Sequence, residues 1–110
     1  MATAELNIRH TESEGRGQFY LGEDERRPEA AMMYHRWGGG QTVNVDHTEV
    51  SDALRGEGVG RKLLERLVGW ARGEGLKVSA TCPFAVAMFE RHPGLGEGVH
   101  VAYEDERPGR

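Results

Sequence analysis

A glycine-rich turn between a strand and a helix constrains this chain more than any other feature. Residues 50–60 read Val-Ser-Asp-Ala-Leu-Arg-Gly-Glu-Gly-Val-Gly, with β-branched residues before them and an amphipathic helical pattern after them. Gly56, Gly58 and Gly60 allow the backbone to approach a ligand closely. The first free amides of the helix and its positive dipole end point at that ligand. The order of these elements therefore predicts a site for a phosphate or pyrophosphate group.

The spacing of the glycines excludes two common phosphate-binding loops. A Walker A loop needs a Ser or Thr after Gly-Lys, whereas here Arg61 and Lys62 follow Gly60 without a hydroxyl for magnesium. A dinucleotide-binding fingerprint reads Gly-x-Gly-x-x-Gly, whereas this run reads Gly56-x-Gly58-x-Gly60. A different class of phosphate binder is needed.

Residues 55–60, Arg-Gly-Glu-Gly-Val-Gly, resemble the acyl-CoA signature of the GNAT superfamily of N-acetyltransferases, Gln/Arg-x-x-Gly-x-Gly/Ala. Val50 lies where that family has the end of its fourth strand. Residues 76–81 read as a short buried strand, and residues 85–91 lie where the family has its Ala-x-x-Phe/Tyr-Tyr-x-x helix. The resemblance covers residues 47–93, about half of the chain.

This resemblance implies an α/β fold of the minimal GNAT type. We expect a mostly antiparallel central sheet, splayed where the cofactor enters, with two main helices after the fourth and fifth strands. The short chain and the Thr81-Cys82-Pro83 junction are similar to the compact members that carry a cysteine at the end of the fifth strand. We therefore expect one domain over residues 1–110, with residues 103–110 as a flexible tail.

Alternating and helical patterns place the individual elements along the chain. A glycine triplet at residues 38–40 indicates a hairpin between the third and fourth strands. Residues 58–72 carry an apolar stripe at the helical period, and glycines follow it. The predicted strands are residues 5–11, 17–22, 30–37, 42–50 and 76–81.

Composition limits the function class and the compartment. The net charge of -4 does not support a general affinity for nucleic acids, and no apolar run is long enough to span a membrane. The N-terminal residues lack the basic start and apolar core of a signal peptide. One cysteine, Cys82, excludes an internal disulfide and a Cys-based zinc site, and no metal site is predicted. We expect a cytoplasmic protein that is a monomer or a weak homodimer.

The resemblance implies acetyl-CoA as cofactor and an amine as acceptor. Backbone amides of residues 56–61 are expected to hold the pyrophosphate, and the strand end at Val50 is expected to align the pantetheine and the acyl carbonyl. The implied cofactor-binding residues are Val50, Arg55, Gly56, Glu57, Gly58, Val59, Gly60 and Arg61.

Three residues are candidates for the chemistry. Cys82 ends a strand before a helix start, where a helix N-terminus activates a thiol; alternatively it is a small buried apolar residue. His47 and Glu49 lie two apart on a strand and so share one face. Either one is suited to remove a proton from an attacking amine, and the resemblance places both near the acyl group. Alternatively, both are solvent-facing strand residues.

Phe89 departs from the pattern of the family. Many GNAT members have at or next to this position a tyrosine that donates a proton to the leaving thiolate, and phenylalanine has none to give. Core packing is the simpler interpretation of Phe84, Met88 and Phe89, and His92 before Pro93 is expected to end the helix. The acid is then either absent or supplied by Cys82.

The sequence therefore predicts an acetyl-CoA-dependent N-acetyltransferase that acts on an amine of a small molecule, peptide or protein. The missing tyrosine keeps a second hypothesis open, a non-catalytic module that binds acyl-CoA or CoA. A third hypothesis is a protein-interaction domain that reuses the fold and has no affinity for CoA.

Overall fold

The computed structural model describes residues 7–104, which form a five-stranded sheet and two α-helices. Two short 3-10 helices, Asp52–Leu54 and Pro93–Gly96, flank the second half of the fold. The predicted α/β fold with helices after the fourth and fifth strands is confirmed. The elements are β1 (Arg9–Ser13), β2 (Arg16–Leu21), β3 (Ala30–Trp37), β4 (Thr42–Val50), α1 (Val59–Glu74), β5 (Lys77–Ala80) and α2 (Pro83–Arg91).

The sheet follows the chain order β1-β2-β3-β4-β5. The first four strands are antiparallel, and β5 pairs parallel to β4 because α1 carries the chain back across the sheet. The first strand lies later in the chain than predicted: residues 7 and 8 are not part of it, and it extends to Ser13, before a tight turn at Glu14 and Gly15, both with positive φ. Residues 5 and 6 of that predicted strand, and residues 105–110 of the predicted tail, lie outside the described residues.

The strands β4 and β5 separate halfway along β4. Their ladder ends at the pair Val45 and Ala80, while β4 continues to Val50. The carbonyl of Val45 accepts hydrogen bonds from the amides of both Thr81 and Cys82, at 3.1 and 3.0 Å, as the chain turns away. The open edge of residues 46–50 is the splay that the resemblance implied.

A β-bulge lies at the point of separation. Tyr34 pairs with Val45 and Met33 pairs with His47, which leaves Asp46 as an extra residue in β4. The extra residue shifts the alternation, so that Thr48 lies on the same sheet face as Val45, which is the face covered by α1.

Buried polar side chains hold the bulge on the opposite face. Asn44 and Ser79 are 1% and 0% exposed, and Ser79 Oγ donates to Asn44 Oδ1 at 2.8 Å. Asp46 Oδ1 accepts from Asn44 Nδ2 at 2.8 Å and from His35 Nδ1 at 2.7 Å. Since each of these polar groups has a partner, their burial is compatible with a stable sheet. The network ties β3, β4 and β5 together just where β5 leaves.

The apolar stripe of α1 packs on the sheet and forms the core, as predicted. A buried leucine contributes about 1.5–3 kcal/mol relative to an exposed one, so this face dominates the energy that fixes α1. The helix is bounded by two glycines with left-handed backbone, Gly58 and Gly75. The buried residues of α1 are Val59, Leu63, Leu64, Leu67, Val68 and Ala71.

A histidine is packed among aromatic rings at the other end of the sheet. His10 stacks on Phe19 at 4.0 Å and meets the edge of Trp70 at 4.7 Å, and its Nε2 lies 2.7 Å from the hydroxyl of Tyr34. Burial lowers the pKa of His10, and the cations Arg66 and Arg36 lower it further, against the opposing effect of the Glu12 carboxylate. The folded state therefore resists protonating this ring.

We expect His10 to make the protein less stable as the pH falls below about 6.5, the ordinary pKa of histidine. There the unfolded chain takes up a proton that the folded chain resists, so the free energy of unfolding decreases. Urea titrations at pH 7.5 and 5.5 should show a smaller pH effect in His10→Gln than in the wild type. His100→Gln, at an exposed histidine, is the control. Equal pH effects in wild type and His10→Gln would refute the assignment.

Candidate functional site

A cavity of about 510 Å³ opens between the end of β4, the start of α1 and the outer face of α2. Most of its wall is apolar, and its one charged end is formed by two arginines of the glycine-rich segment. The lining residues are Thr48, Val50, Leu54, Arg55, Gly56, Gly58, Val59, Gly60, Arg61, Phe84, Met88 and His92.

The floor of the cavity is the N-terminus of α1. The first helical hydrogen bond runs from the amide of Lys62 to the carbonyl of Gly58, so the preceding amides have no acceptor within the helix. The first turn holds no acidic residue. Free amides and the positive end of the helix dipole thus meet at one point, as an anion site requires.

Two of the three glycines keep the space beside the helix end open. Gly56 and Gly58 have φ of 82° and 73°, and a Cβ on either would meet nothing within 4 Å. A Cβ on Gly60 would lie 2.7 Å from the ring of Phe84. Gly60 therefore allows α2 to pack on α1, while Gly56 and Gly58 leave room for a ligand.

Seven of the eight predicted cofactor-binding residues line this cavity. Glu57 lies in the same loop and is exposed, but it does not line the cavity. Arg55 pairs with Asp52 at 3.2 Å and Arg61 pairs with Glu65 at 3.0 Å. Such exposed pairs are weak, so both arginines can turn towards an anion at little cost.

His47 and Glu49 lie together, as the spacing predicted, on the sheet face opposite Thr48. His47 Nε2 lies 3.0 Å from Glu49 Oε2, and the two side chains are 58% and 65% exposed. Because a carboxylate only accepts, Nε2 is the donor in this contact.

This pair lines a second groove of about 500 Å³ along the other side of β4. Glu29 adds another carboxylate to its wall. Three residues, Thr48, Val50 and Arg55, line both the groove and the cavity. The two spaces therefore adjoin at the open edge of β4.

Cys82 lies at the N-cap of α2, directly before Pro83, as the sequence predicted. The residue is 3% exposed and does not line the cavity. Its Sγ lies 3.3 Å from Oγ1 of Thr48, which does line it.

Sequence reasoning placed Phe84 in the core, and this was wrong. The ring is 37% exposed and forms part of the cavity wall, whereas Met88 and Phe89 are buried as expected. Phe89 stacks on His100 at 4.2 Å and lies in the core. His92 ends α2 as predicted, and it also lines the cavity. The spacing of Phe84, Met88 and His92, four residues apart, is the helical signal that could have identified this wall.

Known proteins share this fold, and some of them are similar to the chain in sequence. A family model described as GCN5-related N-acetyl-transferase matches residues 18–97. A GCN5-like protein from Staphylococcus aureus, solved in solution by NMR, is 36% identical with a TM-score of 0.67, over 98% of this chain and 100% of that chain. The aminoglycoside N-acetyltransferase AAC(6')-Iy, solved in complex with CoA, is 14% identical with a TM-score of 0.52, over 92% of this chain and 99% of its own, and shows the fold alone.

Among curated proteins, Protein NATD1 of Xenopus tropicalis is 32% identical over 63 residues, which are 57% of this chain and 58% of that protein. The chain thus matches little more than half the length of this relative. In residues 7–104 no helix is long and apolar enough to cross a membrane. The chain belongs to the GCN5-related N-acetyltransferase family, and the resemblance predicted from the glycine-rich run is confirmed.

Proposed function

We propose that this chain transfers an acetyl group from acetyl-CoA to an amine. The observation that carries the proposal is the cavity that joins the free N-terminus of α1 to the open edge of β4. One end of the cavity suits a pyrophosphate, and its apolar walls suit the pantetheine arm that leads to the thioester.

The residues present fit such a substrate. Open space beside Gly56 and Gly58 admits phosphate oxygens to the helix amides, and Arg55 and Arg61 add positive charge. Val50 at the strand end supplies an apolar wall next to the reacting end. A binding site built mostly from apolar side chains with a few convergent polar groups is typical of cofactor and substrate pockets.

The groove on the other side of β4 is proposed for the acceptor amine. A lysine-like amine is protonated at pH 7, and removing its proton there costs about 4–5 kcal/mol for an ordinary pKa near 10.4. His47 and Glu49 line this groove and are proposed to accept that proton. The Glu29 and Glu49 carboxylates favour a cationic amine over a neutral or anionic acceptor.

A non-catalytic acyl-CoA-binding module is the second candidate. The position of Phe89 favours it, because that ring is buried and has no proton to give to a leaving thiolate. Calorimetry with CoA and a thioester-release assay with acetyl-CoA and a panel of mono- and polyamines separate the candidates. Binding with turnover supports the transferase, binding without turnover on any amine supports the module, and no binding leaves the protein-interaction domain.

Cys82→Ala is expected to lower turnover with little change in CoA affinity or thermal stability. The thiol lies at the end of β5, where the strands separate, and is proposed to donate a proton to the leaving thiolate or to carry the acyl group. Mass spectrometry after incubation with acetyl-CoA alone distinguishes these roles, since only a carrier leaves an acetylated Cys82. Normal turnover of Cys82→Ala would assign this residue to packing alone.

A further inference from the structure

One side chain lies where the cofactor cavity and the acceptor groove meet. Thr48 lines both spaces, and it is the only one of the three shared residues with a hydroxyl group. The β-bulge at Asp46 turns Thr48 to the sheet face of α1 and places His47 on the other face. A thioester in the cavity and an amine in the groove would therefore approach each other at Thr48.

Cys82 is in contact with this threonine. The thiol is 3% exposed and does not line the cavity, yet Sγ is within 3.3 Å of Thr48 Oγ1. A direct attack by the thiol on an acyl carbon would require contact with that carbon, and the contact present is to the threonine hydroxyl instead. A hydroxyl both accepts and donates, so Thr48 is able to take a proton from one side and give one to the other.

We propose that Thr48 is the residue that meets the thioester, and that Cys82 acts through it as a positioning residue and proton source. This inference rests on the proposed acetyl transfer. The amine nitrogen forms a bond to the acyl carbon, the carbon–sulfur bond breaks, and its electron pair goes to the sulfur of CoA. The departing sulfur receives the Thr48 hydroxyl proton as Thr48 receives the Cys82 proton. The amine's surplus proton goes to the base on the groove side, and solvent returns a proton to Cys82.

This arrangement replaces the tyrosine that the α2 helix lacks. Phe89 is buried against His100 and cannot supply a proton, whereas Thr48 lines the cavity and carries a hydroxyl group. The route requires no acyl-cysteine intermediate.

Four variants test the relay. Thr48→Val keeps the shape of the side chain and removes the hydroxyl, and we expect about a 100-fold loss of turnover at unchanged CoA affinity. Thr48→Ser keeps a hydroxyl that both gives and receives a proton, and it should retain turnover within about tenfold of the wild type. Cys82→Ser should lose turnover, because a serine hydroxyl is a far weaker acid than a thiol and cannot be the final proton source. Because the two groups act in series, the double variant Thr48→Val with Cys82→Ala should be no slower than the slower of the two single variants. Thr11→Val, on the edge strand β1 and outside both spaces, is the matched control.

Full turnover of Thr48→Val while the wild type is active would overturn the relay and leave the acetyltransferase intact. An independent test needs no turnover: in the CoA complex, NMR contacts from the methylene next to the CoA sulfur should reach the Thr48 methyl group. Contacts to the Cys82 β-protons without contacts to Thr48, an acetylated Cys82 after incubation with acetyl-CoA, or absence of CoA binding would each refute the inference. An amine-inactive protein that still shows the Thr48 contact would refute only the proposed transfer, because the placement of Thr48 would stand.

Discussion

Gly58→Leu is expected to reduce the affinity for CoA by at least about 100-fold while the protein remains folded. Gly58 is the N-cap of α1, and the space beside it is open to the cavity. A leucine side chain there would occupy the volume through which phosphate oxygens reach the first helix amides. Loss of both the amide contacts and the favourable dipole end removes the main attraction for the pyrophosphate.

The same substitution also strains the backbone, and the chain offers a matched control for that effect. Gly75 bounds the other end of α1 with φ of 74°, against 73° at Gly58, and its Cβ would also meet nothing within 4 Å. A non-glycine residue in this conformation costs about 1–2 kcal/mol at either position. Gly75→Leu should therefore lower stability as much as Gly58→Leu and leave CoA affinity unchanged.

Calorimetry on the two folded variants, with thermal unfolding measured in parallel, shows whether a loss of CoA affinity comes from the blocked helix end or from lower stability. Equal CoA affinity of Gly58→Leu and the wild type would show that the helix end does not hold the cofactor. An equal loss in both glycine variants would assign the effect to α1 stability.

Local patterns in the sequence were sufficient to predict the elements around the glycine-rich loop. The stripe of α1, the bounding glycines and the short strand before Cys82 each depend on residues close together in the chain. The absence of a side chain permits the left-handed backbone seen at Gly56 and Gly58. The turn before α1 could therefore be predicted without knowledge of the packing, and its role in cofactor binding stays a prediction.

The part of the site formed by β4 could be predicted only in part, because the β-bulge at Asp46 decides which residues of that strand face the cavity. Alternation correctly placed His47 and Glu49 on one face, but the bulge at Asp46 sets which face that is. Asp46 is held by Asn44 and by His35 on a neighbouring strand, and no local pattern shows this pairing. The cavity-facing Thr48 was missed for the same reason.

The position of Phe84 illustrates a second limit of prediction from the sequence. Apolar residues on a short helix were expected to pack inward, yet the first turn of α2 extends past Gly60 to the rim of the cavity. An exposed aromatic ring at a cavity mouth has the same sequence signature as a buried one. The distinction depends on where α1 begins relative to α2, and the pattern of α2 alone does not contain this information.

His47→Gln or Glu49→Gln is expected to lower turnover by about 100-fold, whichever of the two is the base, with unchanged CoA affinity. The pair lies in the groove proposed for the amine, on the face away from the cavity, so neither substitution alters the cofactor wall. Replacement by glutamine keeps a polar side chain of similar length but removes the group that accepts the proton at neutral pH.

The pH dependence of turnover distinguishes loss of the base from damage to the fold. As the pH rises towards the pKa of the acceptor amine, near 10.4 for a lysine-like amine, the free amine becomes abundant and the base becomes unnecessary. The deficit of the responsible variant should therefore shrink with rising pH, whereas damage to the fold would persist at every pH. His100→Gln, at an exposed histidine outside both spaces, should behave as the wild type. If both glutamine variants keep the full rate at neutral pH with limiting amine, His47 and Glu49 are only surface residues of β4 and neither acts as the base.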